Sequence, residues 1–371
     1  MKIVIFGLSV SSSWGNGHAT LWRGLCSALH GMGHRVVFFE RDVPYYASHR
    51  DLHELHGGEL VLYRDWSDAA ARAQIHLSEG DAAMVTSFCP DGVAASELIL
   101  ASPVPLRVFY DLDTPVTLAK LDAGEELSWI GPRGLRDFDL VLSYTGGRAL
   151  DELQQRLGAR AVAPLYGSVD PEVHRPADAM PEFACDLSYL GTYAEDRQSG
   201  VERLLIEPAR RVPGFRFLIG GSMYPEAFPW AENIFFVRHI PPFLHAAFYS
   251  SSRLTLNVTR QAMADMGWCP SGRLFEAAAC GVPIVSDWWE GLDHFYTPGS
   301  EIVLCHSADD VVSALREPDE RLRAIAARAS ERTLDCHTAG NRARELVRLL
   351  EGAAVCGESS PRQEKEAAFN H

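Results

Sequence analysis

What most restricts this chain is a rhythm: short apolar runs, each broken by glycine or polar residues and followed by a stretch with helical spacing. In the first half the runs cover residues 2–8, 35–40, 59–64, 82–87, 106–111, 139–143 and 161–165. Runs this uniformly apolar fit parallel strands covered by helices on both faces. The helix after the first run reads HATLWRGLCSALHGMGH, with Leu21, Leu25, Ala28 and Leu29 on one face and Gly31 and Gly33 as stops. The rhythm pauses in PLYGSVDPEVHRPADAMP, where Pro171, Pro176 and Pro181 mark a linker. It then restarts with CDLSYLG, FRFLIGG, NIFFVRHI, RLTLNV, VPIVSDW and SEIVLC. The expectation is an α/β protein of two Rossmann-like doubly wound domains facing each other across a cleft. The divisions are an N-terminal domain over 1–165, a linker over 166–183 and a second domain over 184–338. A helix over 339–351, with Ala343, Leu346, Val347 and Leu350 at helical spacing, returns to the first domain, and a flexible tail follows over 352–371.

At 371 residues the chain exceeds one ordinary core, which agrees with two domains. Its 34 basic against 49 acidic side chains give a net charge of −15, which speaks against nucleic acid or anionic lipid as a partner. A small phosphate ligand needs only local cations and helix N-termini, so it stays open. The eight cysteines are scattered without a CxxC pair, as expected of reduced thiols in a cytoplasmic protein. MKIVIFGLS reads as a first strand rather than a signal peptide, and no run reaches the roughly 20 apolar residues of a membrane helix.

Chemistry concentrates in two places. The loop SVSSSWGNGHA leaves the first strand with Gly15 and Gly17, which let a ligand approach the backbone, and delivers His18 to the helix start. A histidine at a cleft edge can take a proton from an attacking hydroxyl if a carboxylate orients it. FYDLDTP supplies Asp111 and Asp113 at a strand's C-terminal end, where open α/β sheets bind ligands. The alternative is that His18 caps its helix and the aspartates fix a turn, or that the two carboxylates hold a divalent cation.

The second place is GWCPSGRLFEAAACGVPIVSDWWEGLD. Ser271, Gly272 and Arg273 at a helix start make an anion pocket suited to a diphosphate, and Glu276 one turn on can accept from two vicinal hydroxyls of a ribose. The bland alternative is a capped helix with a surface arginine and glutamate. Arg197 is a second phosphate candidate, the backbone groups of Arg238 and His239 frame a nucleobase, and Glu290 accepts from sugar hydroxyls. Trp288, Trp289, Phe295 and Tyr296 either stack on a sugar or pack in a core. His49, His53 and His56 in SHRDLHELHGG would share one helix face, a spacing able to bind zinc or copper, yet no fourth ligand stands beside them.

These segments together resemble a glycosyltransferase of the GT-B fold, and more narrowly the CgeB-like group of bacterial family-one-type glycosyltransferases. GNGHATLWRGLCSALHGMGHRVVF is similar to the opening strand-loop-helix-strand, LYGSVDPEVHRP to the interdomain linker, and SGRLFEAAACGVPIVSD to the donor-binding helix and following strand. Retaining relatives carry a glutamate on either side of that helix start; Glu276 matches the second, while Trp268 stands at the first. Inverting relatives pair a histidine after the first strand with a distant aspartate, as His18 with Asp111 or Asp113 would. The resemblance therefore implies transfer from a nucleoside-diphosphate sugar such as a UDP-sugar to an acceptor hydroxyl. It also implies inversion with His18 as base, no metal or other cofactor, and a small-molecule or glycan acceptor. A nucleotide-sugar epimerase or hydrolase, or a non-catalytic nucleotide-sugar-binding protein, are the competing readings. A dehydrogenase is disfavoured because the first loop lacks GxGxxG.

Overall fold

The β-branched and aromatic residues of KIVIFG and RVVFFER form two neighbouring parallel strands, β1 (Lys2–Gly7) and β2 (Arg35–Arg41), with fully buried centres. The computed structural model describes residues 1–359, and the side chains of 1–355. Five more strands complete the first sheet: β3 (Gly58–Tyr63), β4 (Ala82–Thr86), β5 (Leu106–Asp111), β6 (Leu140–Ser143) and β7 (Val162–Pro164). All pairings are parallel and the order is β3-β2-β1-β4-β5-β6-β7. The second sheet holds β8 (Cys185–Leu190), β9 (Phe217–Gly221), β10 (Ile234–Arg238), β11 (Ser252–Asn257), β12 (Ile284–Ser286) and β13 (Val303–Leu304). Its order, β10-β9-β8-β11-β12-β13, repeats the first, again with parallel pairings. Both sheets therefore reverse direction between their first and fourth strands, and such reversals open a crevice at the strands' C-terminal ends.

Alternation along β1 divides the first core: Ile3 and Ile5 face Trp22, Leu25 and Phe38, while Val4 and Phe6 face Phe39, Ala73 and Ile99. Helices thus cover both sheet faces. The last helix, Ala339–Ser359, sends Ala343, Leu346, Val347 and Leu350 into the first lobe's core, beside the helix His18–Gly31. It continues through 352–359, which the sequence reading assigned to a flexible tail; residues 360–371 of that tail lie outside the described residues.

Two chain crossings join the lobes side by side. In the linker, Val169 donates to His337 O (3.0 Å) and its carbonyl accepts from Ala339 N (2.7 Å). A seam adds Gly146 N to Trp268 O (2.9 Å) and Arg148 Nη2 to Asp265 O (3.0 Å). Trp268, held at φ 50°, lies so close to Gly147 and Gly291 that a Cβ on either would come within 2.4 and 2.5 Å of its ring.

One sequence expectation is corrected and one open alternative is decided. Residues 48–57 form no helix, because Asp51 N and Leu52 N bond to Ser11 O and draw the segment onto the loop after β1. His49 instead stacks on Trp14 (4.1 Å), His56 packs on His30 (5.5 Å), and the three histidines share no helix face. Trp289, Phe295 and Tyr296 are buried in the second lobe's core, and only Trp288 is exposed. None of the seven described cysteines is disulfide-bonded. Among the described residues, no helix is long and apolar enough to cross a membrane.

Candidate active site

The first lobe's wall is built from the loop that follows β1, and its rigidity comes from a buried carboxylate. Glu40, near the end of β2, accepts from Ser9 Oγ (2.9 Å), Val10 N (2.8 Å), Ser11 N (2.9 Å) and Ser11 Oγ (2.5 Å). Four bonds to one charged group hold the loop in a single shape. In dinucleotide-binding Rossmann domains an acid in this region of the fold reaches a ribose; here Glu40 is fully buried and spent on its own loop. Asn16 continues the scaffold, donating to Ser9 O (2.9 Å) and Ser12 O (3.2 Å) and accepting from His18 N (3.1 Å). Sequence reasoning missed both residues, although a glutamate ending the apolar run RVVFFE was a signal for a buried acid.

His18 is thereby fixed at the helix start, with Nε2 3.2 Å from Asp113 Oδ2 and both side chains partly exposed. Its Nδ1 is buried without a partner. Asp113 precedes the helix Thr114–Asp122. Asp111 is not the partner: it is fully buried beneath that helix, where Oδ1 accepts from Asp113 N (3.2 Å) and Thr117 Oγ1 (3.1 Å). Burial pushes its carboxyl up to about 6, and Oδ2 has no partner. Gly15 and Gly17 line the cleft, and a Cβ on Gly17 would meet nothing within 4 Å.

The second lobe contributes cations. Arg273 donates to Leu190 O, Asn257 Oδ1 (2.8 Å) and Ser271 Oγ (3.4 Å), and lies 5.1 Å from the centre of the Tyr189 ring. Arg197 donates to Tyr189 Oη (3.2 Å) and Thr192 O (3.1 Å). Among the described residues neither guanidinium has a carboxylate within ion-pair reach, although each is anchored by neutral acceptors. Partly buried cations without counter-charge are costly, and an arriving anion relieves that cost. Ser271 and Gly272 begin the helix Gly272–Ala279 beside them, and the Ser271 side chain makes no cap bond. The helix start therefore adds its own partial positive charge.

Glu276 follows one turn later. Burial works against its carboxylate, but His174, His245 and Arg273 outweigh it and hold the carboxyl below the usual range. His174 and His245, which sequence reasoning passed over, each stand 3.8 Å from its oxygens, and Tyr249 Oη is 3.5 Å away. Burial lowers His245 to about 4.

His239 reaches the cleft because its backbone turns into the left-handed region at φ 56°; it packs on Trp14 at 4.5 Å. Two candidate side chains stay outside the cleft. Arg238, just before that turn, is left exposed at the end of the edge strand β10. Glu290 is also exposed, and it is its backbone carbonyl that is engaged, accepting from Trp268 N at 2.6 Å.

The two walls enclose a cleft of about 540 Å³. It is lined by His18 and Asp113 on one side and Arg197, Ser271, Arg273 and Glu276 on the other. Solved structures of similar architecture span nearly the whole chain. Sucrose-phosphate synthase from Thermosynechococcus elongatus superposes with a TM-score of 0.72 at 14% identity, covering 96% of this chain and 100% of that one. HepE of Anabaena in complex with UDP and glucose gives 0.66 at 13% identity over 95% and 100% of the two chains. An alpha-glucosyltransferase in complex with UDP and a DNA 13-mer gives 0.65 at 14% identity over 95% and 99%. No curated protein matches by sequence. The fold is the GT-B architecture, and residues 197–348, which include Arg197, Ser271, Arg273 and Glu276, match the family described as Glycosyl transferase-like.

Proposed function

We propose that the protein transfers a sugar from a nucleoside-diphosphate sugar to an acceptor hydroxyl, with inversion at the anomeric carbon. The observation that carries this reading is the division of the cleft: a histidine–carboxylate pair on one wall and, on the other, two arginines held by neutral oxygens with no carboxylate in direct contact. A UDP-sugar is the first donor to try, since two of the similar structures are described as holding UDP. The Glycosyl transferase-like family match over 197–348 supports glycosyl transfer.

In this mechanism the diphosphate docks against Arg197, Arg273 and the helix start at Gly272, and the ribose hydroxyls donate to Glu276. As the anomeric bond breaks, negative charge grows on the diphosphate, and the fixed guanidiniums stabilise it without a metal ion. Asp113 holds a proton on His18 Nε2 and leaves Nδ1 as the basic nitrogen. The imidazole takes the hydroxyl proton as the oxygen attacks. Trp268, where retaining relatives carry a glutamate, is committed to the seam between the lobes, which favours a single displacement. The acceptor is a small molecule or glycan rather than nucleic acid, given the net charge of −15.

The test is product stereochemistry. An α-linked UDP-sugar and a panel of acceptor alcohols are incubated with the protein, and the anomeric configuration is read by NMR. A β-linked product is expected. An α-linked product sinks the single-displacement mechanism, and donor turnover to free sugar or an epimer regardless of acceptor sinks transfer itself.

A further inference from the structure

Behind the cleft, three segments distant in sequence bring two imidazoles and a carboxylate together. His174 comes from the linker, His245 from the helix Pro242–Ser250 and Glu276 from the helix Gly272–Ala279. His174 Nε2 lies 3.4 Å from His245 Nδ1 and 3.8 Å from Glu276 Oε1, and His245 Nδ1 lies 3.8 Å from Glu276 Oε2. Zinc bonds of about 2.0–2.1 Å at the tetrahedral angle set neighbouring ligand atoms about 3.3–3.4 Å apart. The imidazole pair matches that spacing, and Glu276 places one carboxylate oxygen 3.8 Å from each imidazole, so a turn of the carboxylate brings a single oxygen in to close one face of a zinc tetrahedron.

Their other bonds leave the right lone pairs free. His245 Nε2 lies 3.1 Å from Ile240 O, which places the ring proton there and leaves Nδ1 as an acceptor, the orienting contact common behind metal-bound histidines. Among the described residues Glu276 Oε1 takes no hydrogen bond, and His174, almost fully buried, turns Nε2 toward the other two groups, so its unpartnered Nδ1 carries the ring proton when Nε2 ligates. His245, Tyr249 and Glu276 also line the cleft, so a fourth coordination position opens toward it. Two histidines, one glutamate and an open position form a donor set that zinc accepts readily.

We infer that His174, His245 and Glu276 form a site for a zinc-like divalent transition ion, and that this ion and a bound nucleotide exclude each other. The exclusion rests on the proposed function, because it arises from Glu276 being required by both the ion and the ribose. The ion is therefore an inhibitor of donor binding, not a participant in transfer. It also ties the linker to two helices of the second lobe, which restrains the crossing between lobes.

Cobalt(II) added to the metal-free full-length protein reports the first half through its visible spectrum. One equivalent should give the intense bands of a tetrahedral ion, and His174→Asn and His245→Asn should each abolish them while circular dichroism stays unchanged. Glu276→Gln, close in shape to the native residue, serves where an imidazole variant does not fold. Weak octahedral bands in the wild type, or tetrahedral bands surviving in all folded variants, overturn the site. Calorimetric titration with UDP, before and after loading one equivalent of zinc, reports the second half. Weaker UDP binding in the zinc-loaded protein is expected, and unchanged affinity overturns the exclusion. Failure of UDP to bind the metal-free protein overturns the donor reading instead and leaves the cobalt result standing.

Discussion

The two lobes share one strand order and use it to opposite electrostatic ends. In the first lobe, the loop after the opening strand is fastened by Glu40 and Asp51, the latter binding Ser13 and Arg23, so its charges are satisfied internally. What it offers the cleft is a titratable pair, His18 and Asp113. In the second lobe, the loops after β8 and β11 leave Arg197 and Arg273 held by neutral oxygens, and their positive charge faces the cleft. The same topology thus makes one wall with a histidine–carboxylate pair and another with two arginines held by neutral oxygens. The difference lies in where each lobe spends its carboxylates.

That contrast breaks most sharply at His18. His18→Ala should lower kcat by about 10²–10⁴-fold, the usual contribution of a general base, while leaving UDP affinity unchanged by calorimetry. A comparable loss of affinity would mean that the first wall also binds the donor. Arg273→Ala should do the reverse, weakening UDP binding by about 1–3 kcal/mol through loss of a charge-assisted contact. Unchanged affinity removes Arg273 from the pocket.

A further measurement separates Asp111 from Asp113. Asp111 is an acid whose folded value, about 6, exceeds its unfolded value of 3.8. The unfolded chain then releases its proton first, so stability falls as pH rises from about 4 to about 6 and the penalty is constant above that. Two units correspond to a loss on the order of 2–3 kcal/mol. Asp111→Asn should remove that part of the fall, measured by urea unfolding at pH 4.5 and 7. An identical pH dependence in both proteins would show that Asp111 is not the buried acid described.

The strands were legible because burial on both faces demands long apolar runs, and all thirteen fall inside or within one residue of segments read from the sequence. VPIVSDW and SEIVLC shrink to Ile284–Ser286 and Val303–Leu304, the last two strands on one side of the second sheet, where the two-residue edge strand β13 gives β12 little ladder to extend along. His18 and Arg197 were readable because each lies in the segment after a strand's C-terminal end, and Ser271, Arg273 and Glu276 because they cluster at one helix start. Asp111 and Asp113 were inseparable in the sequence, since both stand at such an end. The turn of the chain into the helix at Thr114 buries one and exposes the other.

The amino-acid order by itself determined the two doubly wound lobes, the linker and which loops meet the cleft, because local periodicity and glycine placement act over a few residues. Only the tertiary structure decided that Glu40 serves its own loop, that Arg238 and Glu290 stay outside, and that His174 and His245 converge on Glu276. Those outcomes depend on contacts between segments far apart in the chain, where side-chain direction rather than composition selects the partner.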